Sequence, residues 1–205
     1  MENMQKINSI KTILVTNTRA YSESSSIAAD LAVLVAQNSK KVALLDADLR
    51  HPFLHRQFNL PNRVGLADIL QGLRSPEAVM HKIKSSSLKF LPAGMMPSSS
   101  GDLLASPRMA QLLEELDSRY DKVIIHGPPF FYTETTSLAA QVDGVVLLIH
   151  PDHTRTEASK AIIEKFQKTG ATIIGIVMRD RPKPPSHQSA FIDRILSYDR
   201  QVRYS

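Results

Sequence analysis

Short runs of consecutive apolar residues, interleaved with stretches of helical spacing, constrain this chain more than any other feature. The runs at residues 13–15, 42–45, 123–125, 144–149 and 172–177 are continuous rather than alternating, the pattern of strands covered on both faces. A weaker run at 88–91 precedes a loop over 92–101. Residues 27–37 are rich in Ala, Leu and Val, with Leu31, Leu34 and Val35 on one side and a serine cluster ahead of them as N-cap material. Met109, Leu112, Leu113 and Leu116 recur at helical spacing, as do Ala158, Ala161, Ile162 and Phe166 between residues 156 and 168. Strands alternating with helices predict βαβ units, right-handed crossovers and an α/β fold with a parallel sheet covered by helices on both faces. Ligands of such sheets sit at the carboxyl ends of the strands, where the strand order switches. Chemistry is therefore expected in the segments that follow the strands.

With 205 residues the chain suits one well-packed domain, expected over residues 1–180. A Pro- and Ser-rich stretch at 181–189 then leads into a C-terminal tail ending at 205. No apolar run nears the ~20 residues of a membrane span, and the polar first ten residues lack a signal-peptide core. Absence of cysteine excludes a disulfide scaffold, a thiol nucleophile and a Cys-based zinc site. The expectation is a cytoplasmic protein. Residues 179–205 hold six basic residues (Arg179, Arg181, Lys183, Arg194, Arg200 and Arg203) against three acidic ones (Asp180, Asp193 and Asp199), so this tail supplies +3 of the net charge of +5. Such a tail fits either a solvated terminus or peripheral contact with an anionic partner such as the inner membrane. No aromatic residues alternate with its charges, so nucleic acid is not expected.

Three strand ends carry the candidate chemistry: residues 16–26 after the first strand, Asp46-Ala47-Asp48-Leu49-Arg50-His51-Pro52 after the second, and His126-Gly127-Pro128-Pro129 after the third of the central runs. The second segment resembles the Asp-x-Asp-x-Arg motif of bacterial tyrosine kinases, the ATPase partners of polysaccharide chain-length regulators. Further segments are similar to that family: Gly65-Leu66-Ala67-Asp68-Ile69-Leu70-Gln71-Gly72, Leu91-Pro92-Ala93-Gly94, Leu103-Leu104-Ala105-Ser106 with Met109, Tyr120-Asp121-Lys122-Val123, and Val142-Asp143-Gly144-Val145. The resemblance covers roughly residues 13–177 and implies a P-loop NTPase-like fold of the MinD-like class.

The departures from the family pattern fall together. The family's first loop is a P-loop ending Gly-Lys-Ser-Thr, whose backbone cradles phosphate, whose Lys reaches the β- and γ-phosphates and whose hydroxyl holds Mg²⁺. In register, that Gly is Glu23, the Lys is Ser24 and the Ser-Thr pair is Ser25-Ser26, with an earlier loop Gly at Tyr21. The family's Asp-Thr-Pro-Pro after the third strand is His126-Gly127-Pro128-Pro129. A micromolar nucleotide site is worth about 8 kcal/mol. One close charge pair between Glu23 and a triphosphate costs up to about 4 kcal/mol at an effective dielectric of 20, and each non-Gly residue in a positive-φ loop costs about 1 kcal/mol. Ordinary ATP catalysis is not expected, and Mg-ATP is a cofactor only if the site still functions.

Two readings stand for each candidate. Asp46 and Asp48 organise Mg²⁺ and the attacking hydroxyl in the resembled family; the structural alternative is inherited scaffolding, with Arg50 pairing one of these carboxylates. The serines at 22–26 either bind an anion at a helix N-terminus or cap the helix. His126, His150 and His153 follow strands, but their spacing matches no known ligand set and no metal site is expected. Phe130, Phe131 and Tyr132 read as aromatic packing or a partner contact. Tyr198 and Tyr204 are candidate phosphoacceptors for a separate kinase. The family's ring-forming Glu-x-x-Arg-x-x-Arg helix does not occur ahead of residue 13, so a kinase-style ring is not expected. The resemblance and its departures imply a catalytically degenerate regulator or scaffold of exopolysaccharide or capsule synthesis. Its expected partner is the cytoplasmic end of a membrane chain-length regulator or an active kinase paralogue. A divergent active autokinase or ATPase, and a MinD/ParA-like positioning protein, are the alternatives.

Overall fold

The apolar runs become the strands of one sheet in the computed structural model, which describes residues 9–18, 24–37, 41–83, 86–95, 103–149, 164, 166 and 168–178. The strands are β1 (Thr12–Asn17), β2 (Val42–Asp46), β3 (His81–Lys82), β4 (Leu88–Leu91), β5 (Lys122–His126), β6 (Gly144–Ile149) and β7 (Ile173–Met178). Their spatial order is β3-β4-β2-β5-β1-β6-β7. Every neighbouring pair from β4 to β7 is parallel. The two-residue β3 runs antiparallel on β4, so the sheet is mixed at one edge rather than wholly parallel. His81-Lys82 is too short and polar to announce itself as a strand.

The helices are α1 (Ser24–Ala36), α2 (Leu54–Gln57), α3 (Leu66–Leu70), α4 (Pro76–Val79), α5 (Pro107–Arg119) and α6 (Thr133–Ala139). Alternate residues of each central strand serve opposite faces. On one face Leu14, Leu45, Ile125 and Leu147 pack with Met109, Leu112, Leu113 and Leu116 of α5. On the other, Val15, Leu44 and Ile124 pack with Ala28, Ala29, Ala32, Val33 and Ala36 of α1, whose small side chains let the helix lie close to the strands. Each fully buried leucine contributes about 1.5–3 kcal/mol. The helix α5 begins with Pro at its first position and carries Arg119 in its last turn, both favourable there.

Two details differ from expectation. The helix α1 starts at Ser24 rather than at residue 27, so Ser24, Ser25 and Ser26 form its first turn instead of lying ahead of it as a cap. The helical pattern at 156–168 lies largely outside the described residues; Glu164, Phe166 and Lys168 are helical and Phe166 is buried.

Segments 65–72 and 91–94, distant in sequence, form one unit. Leu66 N donates to Pro92 O at 2.7 Å and Ala67 N to Ala93 O at 2.9 Å. Asn62 brackets Gly94, donating to its carbonyl and accepting from its N–H at 2.9 Å each. Gly94 has φ +84°, and a Cβ on Gly65 would lie 2.1 Å from Gly94 N and 2.3 Å from Pro92 O.

Candidate functional site

Because β1 sits between β5 and β6 while β2 lies beyond β5, the strand order reverses at β1. The carboxyl ends of β1, β2 and β5 meet beside this reversal, the position where open α/β sheets bind ligands. Asp46 closes β2 and pairs in register with His126, the last residue of β5. Ser24 opens α1 above them.

These three side chains form a continuous buried chain. His126 Nδ1 is 2.9 Å from Asp46 Oδ1, and His126 Nε2 is 3.1 Å from Ser24 Oγ. Asn17, at the end of β1, donates from Nδ2 to the same Ser24 Oγ at 2.6 Å. The second oxygen of Asp46 accepts the backbone N–H groups of Phe53 at 3.1 Å and Leu54 at 3.0 Å, where α2 begins. Exposure is 0% for Asp46, 1% for Ser24 and 3% for His126, so the chain is shielded from bulk solvent.

Electrostatics follow from this packing. Burial alone pushes the His126 imidazole down, but its hydrogen bond to Asp46 and the charges of Asp46 and Asp48 outweigh that and hold it above the ordinary histidine value. Asp48 moves up from the usual carboxylate range because burial disfavours its charge more than His126 and the His51 N–H favour it. That N–H reaches Asp48 Oδ1 at 3.0 Å.

Arg50 departs from its expected role. It pairs neither Asp46 nor Asp48: its Nε lies 2.7 Å from Oε1 of Glu134 in the first turn of α6. Its guanidinium also lies over the Tyr132 ring, 4.9 Å from the centroid. The aromatic segment packs internally, with Phe130 edge-on to Phe131 at 5.9 Å and Phe131 tilted against Tyr132 at 4.7 Å. Ser25 is buried, and Ser26 Oγ accepts a hydrogen bond from Gln57 Nε2 at 2.7 Å.

The structure thus gathers Ser24, Asp46 and His126, with Asp48 close enough to act on His126 electrostatically, and sends Ser26 and Arg50 to other partners. Arg19, Tyr21, Ser22, Glu23, His150, His153, Tyr198, Tyr204 and the basic tail lie outside the described residues. Asn17, Gln57 and Glu134 are site residues that sequence reasoning did not single out, and Tyr132, expected in aromatic packing or a partner contact, also lies under Arg50. Asn17 carries a signal in retrospect, since it is the last residue of a central strand. Among the described residues no group of three or more His, Cys, Asp or Glu side chains could hold a metal ion, and no helix is long and apolar enough to cross a membrane.

Comparison with known proteins agrees with this architecture. The model of the ParA family, described as NUBPL iron-transfer P-loop NTPase, matches residues 8–180. The putative tyrosine-protein kinase EpsB of Ralstonia solanacearum is 35% identical over 183 residues, covering 87% of this chain and 24% of that protein. The tyrosine-protein kinase YwqD of Bacillus subtilis (strain 168) is 33% identical over 173 residues, covering 84% of this chain and 73% of YwqD. Among solved structures, the VpsO kinase domain superposes with a TM-score of 0.81 at 26% identity, covering 88% of this chain and 98% of that domain. The chain spans about a quarter of the length of EpsB. A seven-stranded, mainly parallel sheet, a site at the ends of β1, β2 and β5, and these similarities place the chain in the ParA-type P-loop NTPase family, among the bacterial tyrosine-protein kinases.

Proposed function

We propose that this protein is a tyrosine-kinase-like domain that has lost ATP chemistry and acts as a regulator or scaffold in exopolysaccharide or capsule synthesis and export. The observation that carries this reading is the closed chain Asp46–His126–Ser24. Mg-ATP at this place calls for a cation at residue 24, a hydroxyl turned to the metal at residue 25 and a carboxylate at residue 126. The residues present do not fit it. Both oxygens of Asp46 are engaged, one by His126 and one by the backbone of α2. His126 brings a group inclined to positive charge to a place that serves a divalent metal, and Ser24 offers a neutral hydroxyl in place of an ammonium. No cofactor is needed for a role of this kind.

Its partner is the cytoplasmic end of a membrane chain-length regulator, or an active kinase paralogue that uses Tyr198 or Tyr204 as phosphoacceptor. The protein is cytoplasmic and is recruited to the inner membrane through that partner, with the basic tail adding contact to anionic lipid.

The retained Asp46 and Asp48 favour one second reading, a divergent autokinase or ATPase. Calorimetry with Mg-ATP and Mg-ADP, at concentrations that detect millimolar affinity, separates the two. No heat and no thermal shift are expected. Micromolar binding lost in Asp48→Ala would sink the degenerate reading and establish the active one.

A further inference from the structure

Ser24 opens α1 just after strand β1, Asp46 ends β2 and His126 ends β5. A serine hydroxyl against one imidazole nitrogen, with a buried carboxylate against the other, is an arrangement of nucleophile, base and orienting acid. It recurs on unrelated folds and is recognised by geometry rather than by chain order. We propose that Ser24 is a latent serine nucleophile, with His126 as its base and Asp46 as its positioning residue, acting on small, uncharged acyl esters.

The surrounding hydrogen bonds set each role. Phe53 N and Leu54 N hold Asp46 Oδ2, which fixes the carboxylate so that Oδ1 faces His126 Nδ1. In the neutral form of His126, an N–H at Nδ1 donating to Asp46 leaves the lone pair of Nε2 directed at Ser24 Oγ, 3.1 Å away; because the imidazole is held above its ordinary value, only this neutral fraction acts as base. Asn17 donates to Ser24 Oγ, which uses a lone pair of the hydroxyl and not its proton. Asp46 and Asp48, both buried beside the hydroxyl chain, repel an anionic substrate, which selects an uncharged one.

The chemistry balances with water as the only co-reactant. Ser24 Oγ bonds to the acyl carbon while its proton passes to His126 Nε2. The carbon–oxygen bond to the leaving alcohol breaks, and the alcohol departs with that proton. Water then gives a proton to Nε2 and its oxygen attacks the acyl-serine. The acid leaves and the proton returns to Ser24. Since Ser24 is 1% exposed, a substrate reaches it only when the site opens, so reaction is slow.

This inference rests on the reading of the site as closed to Mg-ATP, and its test keeps the two apart. The native protein is incubated with an alkyl fluorophosphonate, and the modified serine is located by peptide mass spectrometry. Modification at Ser24, in preference to Ser25 and Ser26, is expected, with fluoride leaving and the proton passing to His126. It should be lost in Ser24→Ala and in urea-unfolded protein, and slowed about 100-fold or more in His126→Asn of unchanged circular dichroism. If His126→Asn does not fold, the native and urea-unfolded samples decide alone. No modification, modification spread over other serines, or equal labelling of the unfolded chain overturns the proposal. Mg-ATP binding by calorimetry would overturn the closed-site reading; absence of labelling in protein that binds no nucleotide overturns only this one.

Discussion

Arg50 is held by Glu134, with Nε 2.7 Å from Oε1, and this contact ties the loop after β2 to the first turn of α6. Glu134 is 7% exposed, so removing its cation leaves a buried carboxylate without its ion pair. Arg50→Ala is expected to lower stability by about 1–3 kcal/mol, read as a lower urea midpoint. The double variant Arg50→Ala with Glu134→Leu should recover most of that loss, because an apolar pair avoids the stranded charge.

Asp143 fastens the start of β1. Its Oδ2 accepts Lys11 N at 2.8 Å, Thr12 N at 2.8 Å and Thr12 Oγ1 at 2.9 Å. Burial pushes its carboxyl up, but these bonds and the charge of Lys122 prevail and hold it below the usual range. A depressed folded value means the stabilisation is complete above the ordinary carboxylate value of 3.8 and is lost as pH falls through the folded value. Asp143→Asn should therefore cost about 1 kcal/mol near neutrality, a modest figure because the side chain is exposed and screened. Acid-unfolding curves of variant and native protein should converge once pH has fallen below the depressed folded value.

Asp48 has the opposite sign. Its folded value is raised, chiefly by burial, so stability is full below the ordinary value of 3.8 and falls as pH rises from there through the folded value. The variant Asp48→Asn keeps an oxygen to accept the His51 N–H and removes the charge. Thermal denaturation should show it more stable than the native protein at pH 7, with the difference vanishing below the ordinary carboxylate value, where both states are protonated. A lower melting temperature at pH 7 would contradict the assignment.

Gly65 has no room for a side chain, since an added Cβ meets the backbone of residues 92–94 at 2.1–2.5 Å. Backbone cannot swing aside as a side-chain tip can. Gly65→Ala is expected to destabilise by about 1–3 kcal/mol, with loss of hydrogen-exchange protection at Leu66 N and Ala67 N, which bond to that same segment.

Much of the fold was legible because β1, β2, β5 and β6 are continuous apolar runs buried by their position in the sheet, and the burial pattern of β2 has no exposed residue. The run that forms β7 is as apolar but lies at the sheet edge, where Ile174, Ile176 and Met178 are exposed, so it is not covered on both faces as its continuity implied. The runs also pointed to Asp46 and His126, since they end adjacent strands. What sequence could not show was reach. Glu134 lies 84 residues from Arg50, and no spacing rule connects them, so the pairing of Arg50 with a neighbouring Asp was the natural but incorrect expectation. The two glycine-containing segments were read as separate similarities, whereas the lack of a Cβ at Gly65 is what lets them interlock. β3 was missed because two polar residues carry no strand signal, and the antiparallel edge comes from their bonding to β4 alone.

The contact between Ser24 and His126 also couples the mutational fates of the two positions. Ser24→Lys alone would press an ammonium against an imidazole already inclined to carry charge, and like charges at such range repel. His126→Asp alone would crowd a third carboxylate beside Asp46 and Asp48 and remove the imidazole that faces both. Each single step toward a kinase-like site is uphill, and only the paired change keeps the charges balanced. The imidazole–hydroxyl contact therefore acts as an interlock, in which a change at either position is tolerated best when the other changes with it.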